Sequence, residues 1–412
     1  MNTPELLAPA GDFAIAQMAF DHGADAIYIG VGQLNLRAHS PNFAVDDLPE
    51  LLQTAAKRNK KVYVALNIMP DDRRLNEVES TLHSIKNLGV LPDAFIISDP
   101  GVLLLCKKIL PQVALHLSTQ TGACNSLSLL FWKSQGISRI VLPRELNLAQ
   151  ISRLSQLKQV ETEIFVHGAM CVSISGRCLL GAYLNGRHPN MGDCPQPCRF
   201  QYRISSVESS SQNDCHFDAE EDENGVYLLN SKDLCTLTIL PAIIATGVSS
   251  LKIEGRNKSI HYVASVVKTY REALDECLKD PQNYVVHKKW IDELEKTEHR
   301  PYTTGFYGDD LIMQEVFSSK AAPNSRVLGI VKGVLEGGIP VIDVKNSFAV
   351  SNVLEVLPVR RFSSPFTISF THFTDLSGNL MQKIPSNRLL CGHGASVRLY
   401  PGDMLRMLMN KQ

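Results

Sequence analysis

Short apolar, β-branched runs recur along the first two thirds of the chain. Each is followed by a stretch in which apolar positions return every three or four residues. The runs are Glu5 to Ala8, Ala26 to Gly30, Lys61 to Asn67, Ala94 to Ser98, Val113 to Ser118, Arg139 to Pro143, Glu163 to His167 and Ser250 to Glu254. Their middles are continuously apolar rather than alternating, the pattern of parallel strands covered on both faces. The stretches between them carry helix punctuation: Asp12 precedes FAIAQMAFDH as an N-cap and Gly23 closes it. Eight such units fit before residue 280. This predicts an α/β chain whose residues 1–300 form a TIM (β/α)8-type barrel. An open doubly wound sheet is the alternative, but no GxGxxG turn follows the first strand.

The seventh unit is interrupted. Residues of about 168–235 separate the strand ending at His167 from the helix that starts near Thr236. This insertion leaves from the C-terminal end of a strand, the face on which such barrels carry their chemistry. It holds a polar tract, SSVESSSQNDCHFDAEEDENG, and long loops inside compact domains are usually functional. Beyond residue 300 the pattern changes. Residues 301–324 read as a linker, and 325–412 alternate apolar and polar positions between glycine turns, predicting a small antiparallel β-barrel domain.

Composition narrows the function classes. The chain has 412 residues and a formal net charge of −1, so no bulk basic charge announces a nucleic-acid binder. An RNA substrate would need a local basic surface. The N-terminus lacks the basic segment and apolar run of a signal peptide, and no run of roughly 18 apolar residues is present, so the chain is expected in the cytoplasm. Ten cysteines without an export signal argue for thiols rather than a disulfide framework. Cys106, Cys124 and Cys277 fall in apolar helical patterns and read as core.

Four other cysteines do not. Cys171, Cys178, Cys194 and Cys198 follow the spacing C-x6-C-x15-C-x3-C at the start of the insertion. Four thiolates suit a soft or borderline metal. Zinc ribbons favour two short C-x2–4-C pairs, whereas an iron–sulfur cluster is wider and accepts looser spacing, so the pattern leans to iron–sulfur with zinc still open. Cys215 and Cys235 are alternative ligands. The positions just past the strands add candidates for catalysis, namely Asp99, Gln120, Glu145 and His167, and for substrate binding, namely Arg37, Asn67, Arg144, Lys252, Glu254 and Arg256. The several cations suit a small anionic substrate, and Asn257, Lys258 and Ser259 open the last helix where these barrels often hold phosphate. No HExxH, GxSxG or P-loop occurs.

The segments PELLAPAG, GADAIYIG, EIFVHGAMC, SGRCLLGAYLNGR, GDCPQPCR, NSKDL and SLKIEGR together resemble the collagenase-like peptidases of family U32. Despite that name, the resemblance implies oxygen-independent hydroxylases carrying a 4Fe–4S cluster, here on Cys171, Cys178, Cys194 and Cys198. One branch hydroxylates the wobble uridine of tRNA with prephenate as co-substrate. Others act on an rRNA cytidine or a quinone ring. A barrel plus one small β-barrel, the latter similar to translation-factor barrels, is the layout of the tRNA branch. On that reading Arg37, Arg144, Lys252 and Arg256 would hold the carboxylates of prephenate. Arg187, Arg199, Arg203, Arg360 and Arg361 would meet RNA, and an electron donor would be a further partner. Peptidase activity is the alternative.

Overall fold

The computed structural model describes residues 3–200, 202, 229–308 and 325–409. Strands β1 (Glu5–Pro9), β2 (Ala26–Gly30), β3 (Lys61–Leu66), β4 (Ala94–Ile97), β5 (Ala114–Leu117), β6 (Arg139–Val141) and β7 (Glu161–Ala169) pair in parallel, each with the next. The chain then makes a short strand β8 (Asp233–Cys235) antiparallel to the end of β7, and returns as β9 (Ser250–Ile253). Lys252 of β9 lies opposite both Leu7 of β1 and Phe165 of β7, which closes an eight-stranded parallel barrel. Helices α1 (Phe13–Asp21), α2 (Leu48–Lys57), α3 (Asp72–Asn87), α4 (Pro100–Ile109), α5 (Ser126–Ser134), α6 (Leu148–Gln156), α8 (Leu240–Ala245) and α9 (Ile260–Lys279) alternate with the strands, and α7 (Leu180–Asn185) lies in the insertion. The anticipated cap is present: Asp12 accepts from the Ile15 amide at 2.8 Å.

Because side chains alternate along a strand, the barrel buries two layers. Ile27, Ile29, Val62, Val64 and Phe95 face the helices in the main core, while Leu7, Ala26, Tyr28, Tyr63, Ala94 and Ile96 form a separate cluster in the lumen. The same alternation sends charges into the lumen. Glu163, 1% exposed, takes Lys252 at 2.9 Å and Arg139 at 3.3 Å, and Arg139 also reaches Glu5 at 2.6 Å. The Tyr63 hydroxyl donates to Glu5 at 2.6 Å, and His116 packs edge-on to the Tyr63 ring. Burial alone would raise Glu163, but Lys252 and Arg139 outweigh it and hold its pKa at about 2.

After α10 (Lys288–Leu294), strand β10 (Tyr302–Thr303) adds to β8, and the Tyr307 hydroxyl donates to the Phe165 carbonyl at 3.0 Å. The chain therefore stays on the barrel through Gly308. Residues 309–324 of the expected linker lie outside the described residues, as do Arg203, Cys215 and the polar tract. Strands β11 (Ser325–Val334), β12 (Pro340–Val344), β13 (Leu354–Leu357), β14 (Phe366–Ile368), β15 (His372–Thr374), β16 (Arg388–His393) and β17 (Met404–Leu408) form one antiparallel sheet ordered β14-β13-β17-β11-β12-β16-β15. It curls as a half-barrel around Leu328, Ile342, Leu354, Val356, Phe373 and Leu405.

The half-barrel docks on α9 and α10. Met18 and Ala264 pack against Ile330, Leu357 and Met404. Beside them Arg406, fully buried, donates two bonds of 2.6 Å to Glu293 and one of 2.6 Å to Glu355. No helix among the described residues is long and apolar enough to cross a membrane.

Candidate active site

Where the strands end, under the insertion, lies a cavity of about 150 Å³. Its floor is the top of the lumen: Tyr28, Ala65, Ile96, Val141, Phe165 and Lys252. Its rim comes from the loops after the strands: Asn35, Arg37, Asn67, Ser118, Gln120, Arg144, Glu254 and Arg256. Its roof is the insertion, with Cys171, Ser175, Cys178, Cys194 and Cys198. A wider concavity of about 1220 Å³ opens at the other end of the barrel, but its charges answer one another, Arg139 with Glu5 and Arg271 with Asp25. The unbonded groups of Gln120, Arg144 and Arg256 meet instead on the cavity at the strand C-termini.

Two glycines seat the roof. Gly168 has φ +104°, and a Cβ there would stand 2.4 Å from the Glu254 carbonyl, so only glycine lets β7 leave the barrel at this point. Gly192 has φ +95°, and a Cβ would stand 2.6 Å from the Asn35 carbonyl in the loop after β2. Asn190 adds a clamp: its side chain accepts from the Cys178 amide at 3.2 Å and donates to the Cys178 carbonyl at 3.1 Å, while its own carbonyl accepts from Met69 at 3.0 Å.

Of the four cations on the wall, two are neutralised. Lys252 is taken by Glu163 beneath it. Arg37 donates to Glu254 at 3.3 Å, and the Tyr28 hydroxyl reaches the other oxygen of the same carboxylate at 3.3 Å. Burial would raise Glu254, but Arg37, Arg144 and Lys252 together hold it below the ordinary carboxylate value. The other two guanidiniums have no carboxylate partner among the described residues. Arg144 lies 3.8 Å over the Phe165 ring with its Nε buried and unbonded. Arg256 donates to Asn42 at 2.5 Å, its Nε is also unbonded, and burial brings its pKa down to about 10, which leaves it charged at neutral pH. Gln120, 1% exposed, has neither amide atom bonded. Buried polar groups without partners are rare in folded proteins, and three on one small cavity mark a place where a polar ligand completes the bonding.

The four cysteines share the wall of this cavity and none is in a disulfide. The Cys171 sulfur lies 2.9 Å from the Ser173 hydroxyl, and the Cys178 sulfur accepts from the Leu180 amide at 3.3 Å. Burial pushes the Cys198 thiol up to about 11, with the other three cysteines adding to the push, so all three lie within electrostatic reach of Cys198. Among the described residues no group of three His, Cys, Asp or Glu side chains converges on a single-ion site. A multi-iron cluster spans more than one ion's coordination shell, and thiols set around a cavity wall suit it.

Three of the four expected catalytic residues stand elsewhere. His167 is sealed between β7 and the tyrosines 262, 270 and 302, because the β7–β9 register shifts between Phe165 and His167 and turns the ring outward. Burial lowers it to about 3, so it is neutral at physiological pH. Asp99 is the N-cap of α4, accepting from the Gly101 and Val102 amides at 2.8 and 3.1 Å. Glu145 holds the roof, accepting from the Ser175 amide at 2.5 Å and its hydroxyl at 2.9 Å. Only Gln120 lines the cavity, together with all six expected substrate-binding residues. Cys235 is buried on β8 beside Tyr270, away from the roof, and Cys124 is exposed rather than core. Tyr28, Phe165 and Ser175 were missed. The first two are lumen positions that strand alternation marks, and nothing local marks Ser175.

A family model described as Peptidase family U32 matches residues 11–314. The chain is 33% identical to tRNA hydroxylation protein P1 of Bacillus subtilis over 410 residues, 98% of this chain and 94% of that one. It is 32% identical to tRNA hydroxylation protein P of Escherichia coli, covering 94% of this chain and 92% of that protein. A 23S rRNA 5-hydroxycytidine synthase of Escherichia coli is 35% identical over 313 residues, 73% of this chain but 45% of that enzyme.

Proposed function

The chain belongs to peptidase family U32, and from that premise we propose that it is an iron–sulfur-dependent tRNA hydroxylase, acting at C5 of the wobble uridine with prephenate as co-substrate. The observation that carries the reading is the meeting of four free thiols with two uncompensated guanidiniums on one small cavity. Likeness to the tRNA hydroxylation proteins over nearly the whole chain, against a partial match to the rRNA enzyme, supports the choice of substrate.

Cys171, Cys178, Cys194 and Cys198 would hold a 4Fe–4S cluster, which supplies one-electron chemistry when bound. The chain's own residues do the rest. Arg144 and Arg256 offer planar forks for two carboxylates, the number prephenate carries. Gln120 supplies one donor and one acceptor beside them. Glu254, ionised and fixed by Arg37 and Tyr28, is the only carboxylate on the described wall and the group there that can take up a proton. The Phe165 ring flattens Arg144 against the floor and keeps water from one of its faces. A peptidase reading finds no histidine on the described wall to pair with a serine or cysteine: the Ser175 hydroxyl is tied to Glu145, and His167 is out of reach.

The direct test is turnover. Reconstituted protein given unmodified tRNA and prephenate is expected to form 5-hydroxyuridine, read by nucleoside mass spectrometry. No product from cluster-loaded protein would overturn the reading. Within that assay Arg144→Met is expected to raise KM for prephenate roughly 10- to 100-fold, the worth of a charge-assisted bond, with the visible spectrum unchanged. An unchanged KM would remove Arg144 from the carboxylate site.

A further inference from the structure

We infer that the RNA strand lies on the outer face of the cysteine insertion, with an unpaired base stacked on the Tyr183 ring. This rests on the tRNA reading above and adds where, and by which groups, the RNA is held.

The underside of the insertion roofs the cavity, but its outer side turns large apolar groups to solvent. Tyr183 is 86% exposed, Ile174 74% and Leu179 73%, and Phe200 is exposed at the far end of the segment. Within the insertion α7 packs against the turn Pro197–Arg199, so these groups belong to one small folded unit. Exposed apolar side chains gathered this way mark an interaction surface. Charge selects the partner. From Cys171 to Phe200 the chain carries Arg177, Arg187 and Arg199 against a single acidic residue, Asp193. Arg177 is exposed and makes no ion pair among the described residues. Arg187 is paired with Asp193 at 2.5 Å and Arg199 is half-buried, so Arg177 is the exposed cation left without an ion pair, among the described residues of the segment, beside the exposed Tyr183 and Phe200 rings in sequence. Rings interleaved with arginines form the surface that single-stranded nucleic acid uses, the bases stacking and the phosphates meeting guanidinium.

Position agrees with composition. The segment that exposes Tyr183 also sends Cys171, Ser175, Cys178 and Cys194 into the cavity wall. The same short segment therefore carries both the exposed ring and the cavity roof. Proteins that modify or read a base commonly take it from such an unstacked loop.

The test uses full-length, cluster-loaded protein and a synthetic anticodon stem–loop, with affinity read by fluorescence anisotropy. Tyr183→Ala is expected to weaken binding roughly tenfold, the loss of one stacked base, while Tyr183→Phe binds as the wild type. Arg177→Ala is expected to flatten the salt dependence by about one counterion. Since Tyr183 stands in solvent, its variants keep fold and visible spectrum. If the wild type binds and Tyr183→Ala binds equally well, the inference is overturned and the tRNA reading stands. If the wild type does not bind the stem–loop, both fall. If Tyr183→Ala binds RNA normally but turns over only with a chemical reductant and not with a reductase protein, the face belongs to a redox partner, and the RNA assignment is likewise overturned.

Discussion

Cys194→Ala protein, purified and reconstituted without oxygen, is expected to be colourless and to make no 5-hydroxyuridine. Wild-type protein should carry about four irons and four acid-labile sulfides per chain. The argument is geometric and electrostatic. Cys194 shares the cavity wall with Cys171, Cys178 and Cys198, all four as free thiols. Thiolates this near each other are disfavoured until a metal replaces their protons, as the upward push on Cys198 by burial and by the other three cysteines records. A cluster that lost one of its four ligands would lack a protein thiolate, and the described cavity wall holds no fifth sulfur to replace it. Cys124→Ala is the control: that thiol is exposed and absent from the cavity, so iron, sulfide and activity should all be retained. Wild-type protein with one zinc, no sulfide and no colour would sink the cluster assignment.

Glu163→Ala should destabilise the barrel by about 3–5 kcal/mol, because it strands Lys252 in the lumen with no carboxylate. Arg139 keeps Glu5 and Glu161, so the orphan is Lys252, 5% exposed over the Tyr28 ring. A combined Glu163→Leu, Lys252→Met change removes both charges and should cost much less. Urea denaturation of the three proteins measures the difference, and a single-variant cost under about 1 kcal/mol would refute it. The pH dependence has a fixed sign. Glu163 has its pKa lowered from 4.5 to about 2 by Lys252 and Arg139 against the pull of burial. Its contribution is therefore complete above pH 4.5 and fades as pH falls toward 2. The gap between wild type and Glu163→Ala should narrow over that interval.

Particular elements show how far the sequence could be read. All eight barrel strands announced themselves because each is buried on both faces, which makes its middle continuously apolar. The cysteine spacing was equally plain. The strand-end residues were not, because reading them requires the side of the strand as well as its end. Asp99 precedes Pro100, and Asp-Pro at a helix start is a capping signal that outweighs a pocket assignment. His167 fails for a subtler reason: the β7–β9 register shifts just before it, where β8, a three-residue strand from the far end of the insertion, also pairs with it. Lys252 and Glu163 lie in different strands, 89 positions apart, so their pairing is visible only once the barrel closes.

The Arg406 junction has a thermodynamic consequence. Two charge-assisted bonds of 2.6 Å from Arg406 to Glu293 and an apolar seam hold the half-barrel to α9 and α10. Helix α9 follows β9 through the short loop 254–259, and Lys252 of β9 lies in the cavity floor. A partner that touches both units therefore meets surfaces whose mutual orientation was settled when the chain folded. The entropy of aligning them is not charged again at each encounter, and two weak contacts combine as one rigid footprint instead of two tethered ones.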